Sequence, residues 1–204
     1  MKRERLWLLA VLLPLGILGA MALSSRAHAQ NGALLKPPPG SQMAIVVFED
    51  MECPDCARAN PLLEEAARTY KIPLVRHDFP LAMHTWAFDA AVFGRYFEAK
   101  SKKLGDEFRD SAFQHQSEIT KDNLREFVER FAKEHHTNLP FVVDSQGKLA
   151  AAVKMDQELG NRVGISHTPT IYVVTQGRTT PPFVEVVDRK ELFQVIDALR
   201  AAIG

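Results

Sequence analysis

Met43-Ala-Ile-Val-Val-Phe-Glu-Asp-Met-Glu-Cys-Pro-Asp-Cys56 is the stretch that decides the fold, and it holds the only two cysteines of the 204-residue chain. Its first half is apolar and rich in β-branched residues, which favours a buried strand. Beyond the second cysteine, small and apolar residues recur at helical spacing, at Leu62, Leu63, Ala66 and Ala67. This pattern predicts that the cysteine pair lies where a strand gives way to a helix.

The predicted position of Cys53 suits a reactive thiol. A helix N-terminus presents free backbone N–H groups and the positive end of the helix dipole, and both stabilise a thiolate. Pro54 fits the first helical position, where a missing N–H costs nothing. Cys53 is therefore the candidate attacking thiol, and Cys56, further along the helix, is the candidate resolving thiol.

The first 29 residues are predicted to be a signal peptide. A positive segment (Lys2, Arg3, Arg5) precedes an apolar run over 6–23 and a cleavage site at Ala27-His28-Ala29. Cleavage after Ala29 would leave a mature chain of about 175 residues. The apolar run is nearly long enough to span a bilayer, so an uncleaved N-terminal membrane anchor is the alternative. Export would place the cysteines in an oxidising compartment, where a disulfide persists.

The composition excludes some classes of function. The chain carries 25 basic and 25 acidic residues, so it has no net formal charge and gives no reason to expect nucleic-acid binding. Its length and apolar content favour one globular domain.

We predict no cofactor and no metal, since the nearest histidines, His77 and His84, have no ligand-like spacing to the cysteines.

The order of predicted elements is β-α-β, a helical block, then β-β-α. Residues 74–79 predict a second strand parallel to the first, and 170–174 and 183–187 predict an antiparallel pair. Within the block, the clearest amphipathic helix is marked by Leu124, Phe127, Val128, Phe131 and Ala132. The run 139–143 is ambiguous between a strand and a short helix. We therefore divide the chain into a leader (1–29), a first α/β part (30–83), a helical insert (84–164) and a second α/β part (165–204).

A strand, a Cys-x-x-Cys pair that opens a helix, and a late Thr-Pro before a strand form the arrangement of the thioredoxin fold. The chain resembles, more narrowly, the DsbA-like exported thiol–disulfide oxidoreductases. Three segments carry this resemblance: Phe48-Glu-Asp-Met-Glu-Cys-Pro-Asp-Cys56, Arg76-His-Asp-Phe-Pro-Leu81, and Leu159-Gly-Asn-Arg-Val-Gly-Ile165 leading to Thr168-Pro169-Thr170. It implies an α/β thioredoxin fold, a mixed central sheet flanked by helices, with an inserted helical domain. It also favours a short helix at 139–143.

The resemblance implies a mechanism for the cysteine pair. A Cys53–Cys56 disulfide would be attacked by a substrate thiolate, giving a mixed disulfide through Cys53. Thr168 and Pro169, joined by a cis peptide bond, would face the cysteines and pair with an extended substrate peptide, with His167 beside them. The implied partners are reduced or unfolded secreted proteins and a membrane quinone-linked reoxidase of the DsbB or vitamin K epoxide reductase type. The implied compartment is the periplasm, and we expect a monomer.

Two residues depart from the family pattern. Asp55 stands where strong oxidants of the family often have His. At about 7 Å and an effective dielectric constant of about 40, its carboxylate would oppose the Cys53 thiolate by about 1 kcal/mol, which nearly offsets the helix dipole. We therefore expect a weaker oxidant than the strongest members. Val47 stands where the family often has a buried acid, and Glu49, on the same face of the strand, is the candidate substitute.

Three other interpretations of the cysteines stay open. A disulfide reductase or isomerase would use the same pair in the opposite direction and would need an electron source. A purely structural bridge across four residues would remove little unfolded-state entropy. Two thiolates could also hold Cu(I).

Overall fold

The computed structural model describes residues 34–177, 179 and 183–204. These residues form four strands and six α-helices. The strands are β1 (Met43–Glu49), β2 (Leu74–Asp78), β3 (Thr170–Thr175) and β4 (Phe183–Glu185); the helices are α1 (Pro54–Tyr70), α2 (Ala87–Glu98), α3 (Lys102–Gln114), α4 (Leu124–Glu134), α5 (Lys148–Val163) and α6 (Leu192–Ile203). The predicted signal peptide, 1–29, lies outside the described residues. No helix within the described ranges is long and apolar enough to cross a bilayer.

The strands form one mixed sheet in the order β2-β1-β3-β4. β1 pairs in parallel with β2 and antiparallel with β3, and β4 adds to β3 in the antiparallel sense. All seven residues of β1 are buried, which explains its unbroken run of apolar side chains. The predicted thioredoxin fold is confirmed.

Each face of the sheet has its own apolar core. On one face, Ile45 and Val47 of β1 pack with Leu63 of α1 and Ile196 of α6. On the other face, a second cluster includes Phe48, Phe79, Tyr172 and Val163. The alternation of β1 side chains between the two clusters is the period of two that a strand imposes. Helix α1, which begins at the cysteines, is therefore held against the sheet along its length.

Helices α2 to α5 form the inserted helical domain between β2 and β3. Phe97, Phe108 and Phe131 centre its core, with ring centroids 4.9 to 5.2 Å apart. The same cluster includes Met51 and Cys56 from the cysteine loop and α1. The insert therefore packs directly against the end of the sheet that carries the cysteine pair.

The short helix expected at 139–143 is wrong, because the segment is irregular. Leu139 and Val143 are partly buried against the core of the insert, but Phe141 and Val142 are exposed, so apolar contacts hold only part of the segment. The Arg125 guanidinium of α4 donates instead to the carbonyl oxygens of Pro140 and Phe141, at 3.1 Å each. Helix α1 continues without a break through Pro61.

Candidate active site

Cys53 is the N-cap residue of α1. Its backbone is still extended (φ −80°, ψ 118°), and Pro54 follows at the first helical position. The Cys53 carbonyl accepts the first helical hydrogen bonds, from the N–H groups of Cys56 (3.0 Å) and Ala57 (3.2 Å). The proline fixes the backbone angle that starts the helix, so the Cys53 side chain lies at the positive end of the helix dipole.

Both cysteines are reduced thiols, and they are buried to different extents. Cys53 is 7% exposed and Cys56 is 2% exposed. Cys53 Sγ lies 3.3 Å from the carbonyl oxygen of Thr168, which precedes Pro169 across a cis peptide bond. The Cys56 sulfur accepts from the backbone N–H of Asp50 (3.4 Å). Cys53 is therefore the more exposed of the two cysteines.

The two thiols have opposite pKa shifts. The Cys56 thiol, donating to the Cys53 sulfur, is the main cause that lowers the pKa of Cys53 to about 5; burial opposes this, and the side chain of Thr168 adds to it. Burial raises the pKa of Cys56, and the neighbouring Cys53 raises it further. At neutral pH the pair therefore holds one thiolate, on Cys53, and one proton, on Cys56.

A buried carboxylate fixes the loop before the cysteines. Asp50 accepts from the N–H groups of Glu52 and Leu81 and contacts His84 Nδ1, each at 2.7 Å. Burial raises the pKa of Asp50, while its hydrogen bonds oppose that rise. The side chain of Asp50 ties the loop to the segment after β2, and its backbone N–H holds the Cys56 sulfur.

The helical insert is joined to the same loop by two side chains. Gln116, just after α3, donates from Nε2 to the carbonyl oxygens of Met51 (2.7 Å) and Cys53 (3.0 Å). Glu52 reaches the other way and accepts from the backbone N–H groups of Trp86 (2.7 Å) and Ala87 (3.0 Å). The latter pair opens α2, whose free N–H groups favour a carboxylate.

Glu49 is buried and does not reach solvent. Its carboxylate bonds to Arg76 of β2 at 2.8 Å and lies 3.4 Å from Arg109 of α3. The charge of Glu49 is one of the smaller causes that raise the pKa of Cys56. Val47 lies in the apolar core under α1 and α6. Glu49 is therefore the acid of β1 that acts electrostatically on the buried thiol.

Asp55, between the cysteines, is paired with two arginines. Its Oδ1 accepts from Arg58 at 2.6 Å and from Arg189 at 3.2 Å. These arginines lower the pKa of Asp55, with the Arg58 hydrogen bond as the largest cause. The Asp55 carboxylate is therefore not isolated, because two guanidinium groups compensate its charge.

The remaining predicted residues lie together around a cleft of about 190 Å³. His167, Thr168 and Pro169 line it together with Asp55 and Arg189. His167 is exposed, whereas Thr168 is buried. All of the sequence-predicted site residues except Glu49 thus lie in or beside the cysteine helix and this cleft, and Glu49 lies behind Cys56.

Three residues of the site escaped sequence reasoning: Asp50, Gln116 and Arg189. Asp50 was recognisable only as an acid at the end of a buried strand beside the motif. Gln116 and Arg189 contact Cys53 and Asp55 across 63 and 134 residues of sequence. No local pattern marks a polar side chain whose partner lies that far along the chain.

Comparison with known proteins agrees with this geometry. A family model described as thioredoxin matches residues 39–189, and no curated protein sequence matches the chain. Among solved structures, the chain is similar to the thiol–disulfide exchange protein α-DsbA2 of Wolbachia pipientis, at 15% identity and a TM-score of 0.69, over 89% of this chain and 98% of that one.

Two further structures show the same likeness. Oxidised BdbD of Bacillus subtilis is 16% identical, with a TM-score of 0.63 over 82% of this chain and 90% of that one. A periplasmic thioredoxin-like protein of Salmonella enterica is 15% identical, with a TM-score of 0.58 over 88% and 94%. The chain belongs to the thioredoxin family, and its fold, a mixed sheet with an inserted helical domain, is that of the DsbA-like thiol–disulfide oxidoreductases.

Proposed function

We propose that this protein is an exported thiol–disulfide oxidoreductase that introduces disulfides into secreted proteins. One observation carries the proposal. Cys53 lies at a helix N-terminus with its pKa lowered to about 5, beside a buried Cys56 whose pKa is raised. A thiolate that is stable in the reduced protein makes the disulfide easy to reduce, and therefore a good oxidant.

The transfer of the disulfide takes two steps. A substrate thiolate attacks Cys53 Sγ of the Cys53–Cys56 disulfide, which breaks the S–S bond and releases Cys56, which then takes up a proton because its pKa is raised. A second substrate thiolate then attacks the substrate sulfur of the mixed disulfide. A new substrate disulfide forms, and Cys53 leaves as a thiolate. The substrate loses two electrons and the cysteine pair gains them.

Thr168, Pro169 and His167 are the proposed substrate-binding residues. The Thr168 carbonyl lies 3.3 Å from Cys53 Sγ, so a peptide that runs beside Thr168 brings its cysteine to the attacking sulfur. An extended chain can pair with such backbone groups whatever its side chains are. This mode of binding suits an enzyme that acts on many unfolded proteins.

Pro54, Asp55 and Glu49 are proposed to modulate the cysteine pair. Pro54 fixes the start of α1, and Asp55 is the acid that lies between the two cysteines in sequence. Glu49 opposes negative charge on Cys56, which favours attack on Cys53 and keeps the released Cys56 protonated.

The proposed compartment is the periplasm, reached through the predicted signal peptide, 1–29. The similar Salmonella enterica structure is that of a periplasmic thioredoxin-like protein, which supports this location. Reoxidation of the reduced pair then needs an electron acceptor. The resemblance supports a membrane quinone-linked enzyme of the DsbB or vitamin K epoxide reductase type, acting on a monomer.

The direction of transfer is tested by equilibrating the pure protein in glutathione buffers and measuring the fraction of oxidised Cys53–Cys56. An oxidase gives a pair that glutathione reduces readily, and it oxidises a reduced, unfolded substrate protein with one equivalent of disulfide. A potential near that of thioredoxin would overturn the oxidase and support a reductase. Cys56→Ser should trap the mixed disulfide at Cys53, whereas Cys53→Ser should abolish transfer.

A further inference from the structure

Arg189 reaches the cysteine helix from the far end of the chain. It is the first residue of a short 3-10 turn, Arg189–Glu191, that precedes α6. The Asp188 side chain accepts from the N–H of Lys190 (2.9 Å) and so fixes the turn. Helix α6 in turn packs under the sheet through Leu192 and Ile196. The backbone of Arg189 is therefore held by elements that belong to the core.

The guanidinium of Arg189 contacts Asp55 at two points. Nη1 donates to the Asp55 carbonyl oxygen (3.0 Å), and Nη2 donates to its Oδ1 (3.2 Å). Arg58 also binds Oδ1, but as a neighbour three residues along the same helix. The side chain of Arg58 is 64% exposed and that of Arg189 is 34% exposed. Arg189 is therefore the more restrained of the two partners.

The carboxylate that Arg189 binds belongs to Asp55, two residues after the reactive Cys53. An uncompensated acid there would oppose the Cys53 thiolate, and the strength of a disulfide oxidant depends on how well that thiolate is stabilised. Compensation by a cation from outside the motif removes this penalty without changing the motif itself.

We propose that Arg189 is a positioning residue that acts through Asp55 to set the redox equilibrium of the Cys53–Cys56 pair. By binding both the carboxylate and the carbonyl of Asp55, it fixes the acid and, together with Arg58, compensates its charge at the start of α1. The inference rests on the proposed function. It adds to that function an ion pair, Arg189 with Asp55, that keeps the Cys-Pro-Asp-Cys pair oxidising.

The test compares Arg189→Gln with a matched control, Lys190→Gln. Both remove one positive charge, and Lys190 is the exposed residue next along the chain. Arg189→Gln should make the pair about two- to fivefold less oxidising in glutathione buffers and raise the pKa of Cys53 by about 0.3 to 0.7. Lys190→Gln should change the equilibrium constant less than about 1.5-fold. Arg189→Lys, which keeps a cation, should restore most of the loss.

A double variant decides whether Arg189 acts through Asp55. In an Asp55→Asn background, Arg189→Gln should have less than half of its effect, because no carboxylate is left to uncover. An equal effect in both backgrounds, no effect of Arg189→Gln, or an equal effect of Lys190→Gln would overturn the inference. A wild-type pair that forms no reversible disulfide with glutathione would instead overturn the proposed function. The two failures are therefore distinguishable.

Discussion

At the scale of single residues, the reactivity of Cys53 depends most on the proton held by Cys56. That hydrogen bond is the largest cause of the lowered Cys53 pKa. Cys56→Ala removes the donor and should raise the pKa of Cys53 well above 5, whereas Cys56→Ser keeps a hydroxyl donor and should raise it less. The thiolate ultraviolet absorbance, followed across pH, measures both. Equal shifts in the two variants would show that burial rather than the hydrogen bond controls the thiol.

The same shift makes the stability of the reduced protein depend on pH. The Cys53 pKa is about 5 in the folded protein, against a reference of 9.0. The thiolate therefore stabilises the reduced form fully above about pH 9, and this contribution is lost as the pH falls towards 5. The oxidised form has no thiolate, so the stability of the reduced form relative to the oxidised form should fall from pH 9 to pH 5.

Urea unfolding of the two redox forms at several pH values measures this difference. The reduced Cys53→Ala variant is the control, since it should lack the pH-dependent contribution of this thiolate. A stability difference between the wild-type forms that stays constant between pH 5 and 9 would contradict the assignment of the thiolate to Cys53.

Single residues also show how far the sequence could lead. Cys53, Cys56 and Pro54 were recognisable because one short motif contains all three, and because strand and helix patterns flank them. The pairing of Asp55 was not recognisable, since Arg189 lies 134 residues away. The sequence alone therefore predicts an isolated Asp55 carboxylate, whereas the folded protein pairs it with Arg189.

At the scale of elements, two helical glycines differ in how closely the neighbouring residues approach them. In α3, a Cβ on Gly105 would lie 2.8 Å from the Glu98 Cα of α2, which is backbone and cannot move alone. In α2, a Cβ on Gly94 would meet the flexible end of Met51 at 3.2 Å. The first position requires glycine for packing, and the second does not.

Gly105→Ala should therefore lower the free energy of unfolding by about 1 to 2 kcal/mol, because overpacking outweighs the gain in helix propensity. Gly94→Ala should be neutral or stabilise by up to about 1 kcal/mol. Urea unfolding of both variants is the measurement. A stabilised Gly105→Ala variant would mean that α2 and α3 separate freely.

Elements were predictable where periodicity was strong. The apolar spacing that predicted a helix through Phe127, Val128 and Phe131 is confirmed in α4, where all three side chains are buried. The run 139–143 is too short to show such a repeated spacing. In the structure it is irregular: Phe141 is exposed, and its carbonyl oxygen accepts a hydrogen bond from Arg125. The family resemblance alone therefore predicted a helix at 139–143 that the structure does not contain.

At the scale of the whole molecule, a buried ion network joins the insert to the sheet. Arg109 of α3 bonds to Asp78 of β2 at 2.6 Å and lies 3.4 Å from Glu49 of β1. Arg95 of α2 bonds to Asp78 at 2.5 Å and also to Asp156 of α5. Burial alone would raise the pKa of Asp78, but Arg109 and Arg95 hold it below its usual range.

Removing Arg109 should therefore be costly. Arg109→Met would leave two buried acids short of a cation and should destabilise the protein by about 3 kcal/mol, near the low end for a broken buried pair because each acid keeps a second arginine. Lys102→Gln, which breaks the exposed pair of α3 with Asp106, is the control and should cost less than about 0.5 kcal/mol. Urea unfolding measures both. A loss under about 1 kcal/mol for Arg109→Met would show that packing alone holds the insert.

The topology of the part that the structure describes was predictable, because strand and helix patterns alternate in the order that a thioredoxin fold with an insert requires. The ion network was not. Glu49, Asp78 and Arg109 are polar residues in buried positions, and sequence patterns assign such positions to apolar side chains. Only the three-dimensional pairing explains why charges occur there.

The amide of Gln116, which donates to the carbonyls of Met51 and Cys53, has a consequence for protein engineering. Through this amide, and through Glu52, which bonds to the start of α2, the insert helps to hold the shape of the cysteine loop. We therefore expect that a chimera carrying this Cys-Pro-Asp-Cys loop on a thioredoxin scaffold without an insert would lose the loop's shape even if every residue of the motif were kept. The loop and the insert must be transplanted as one module.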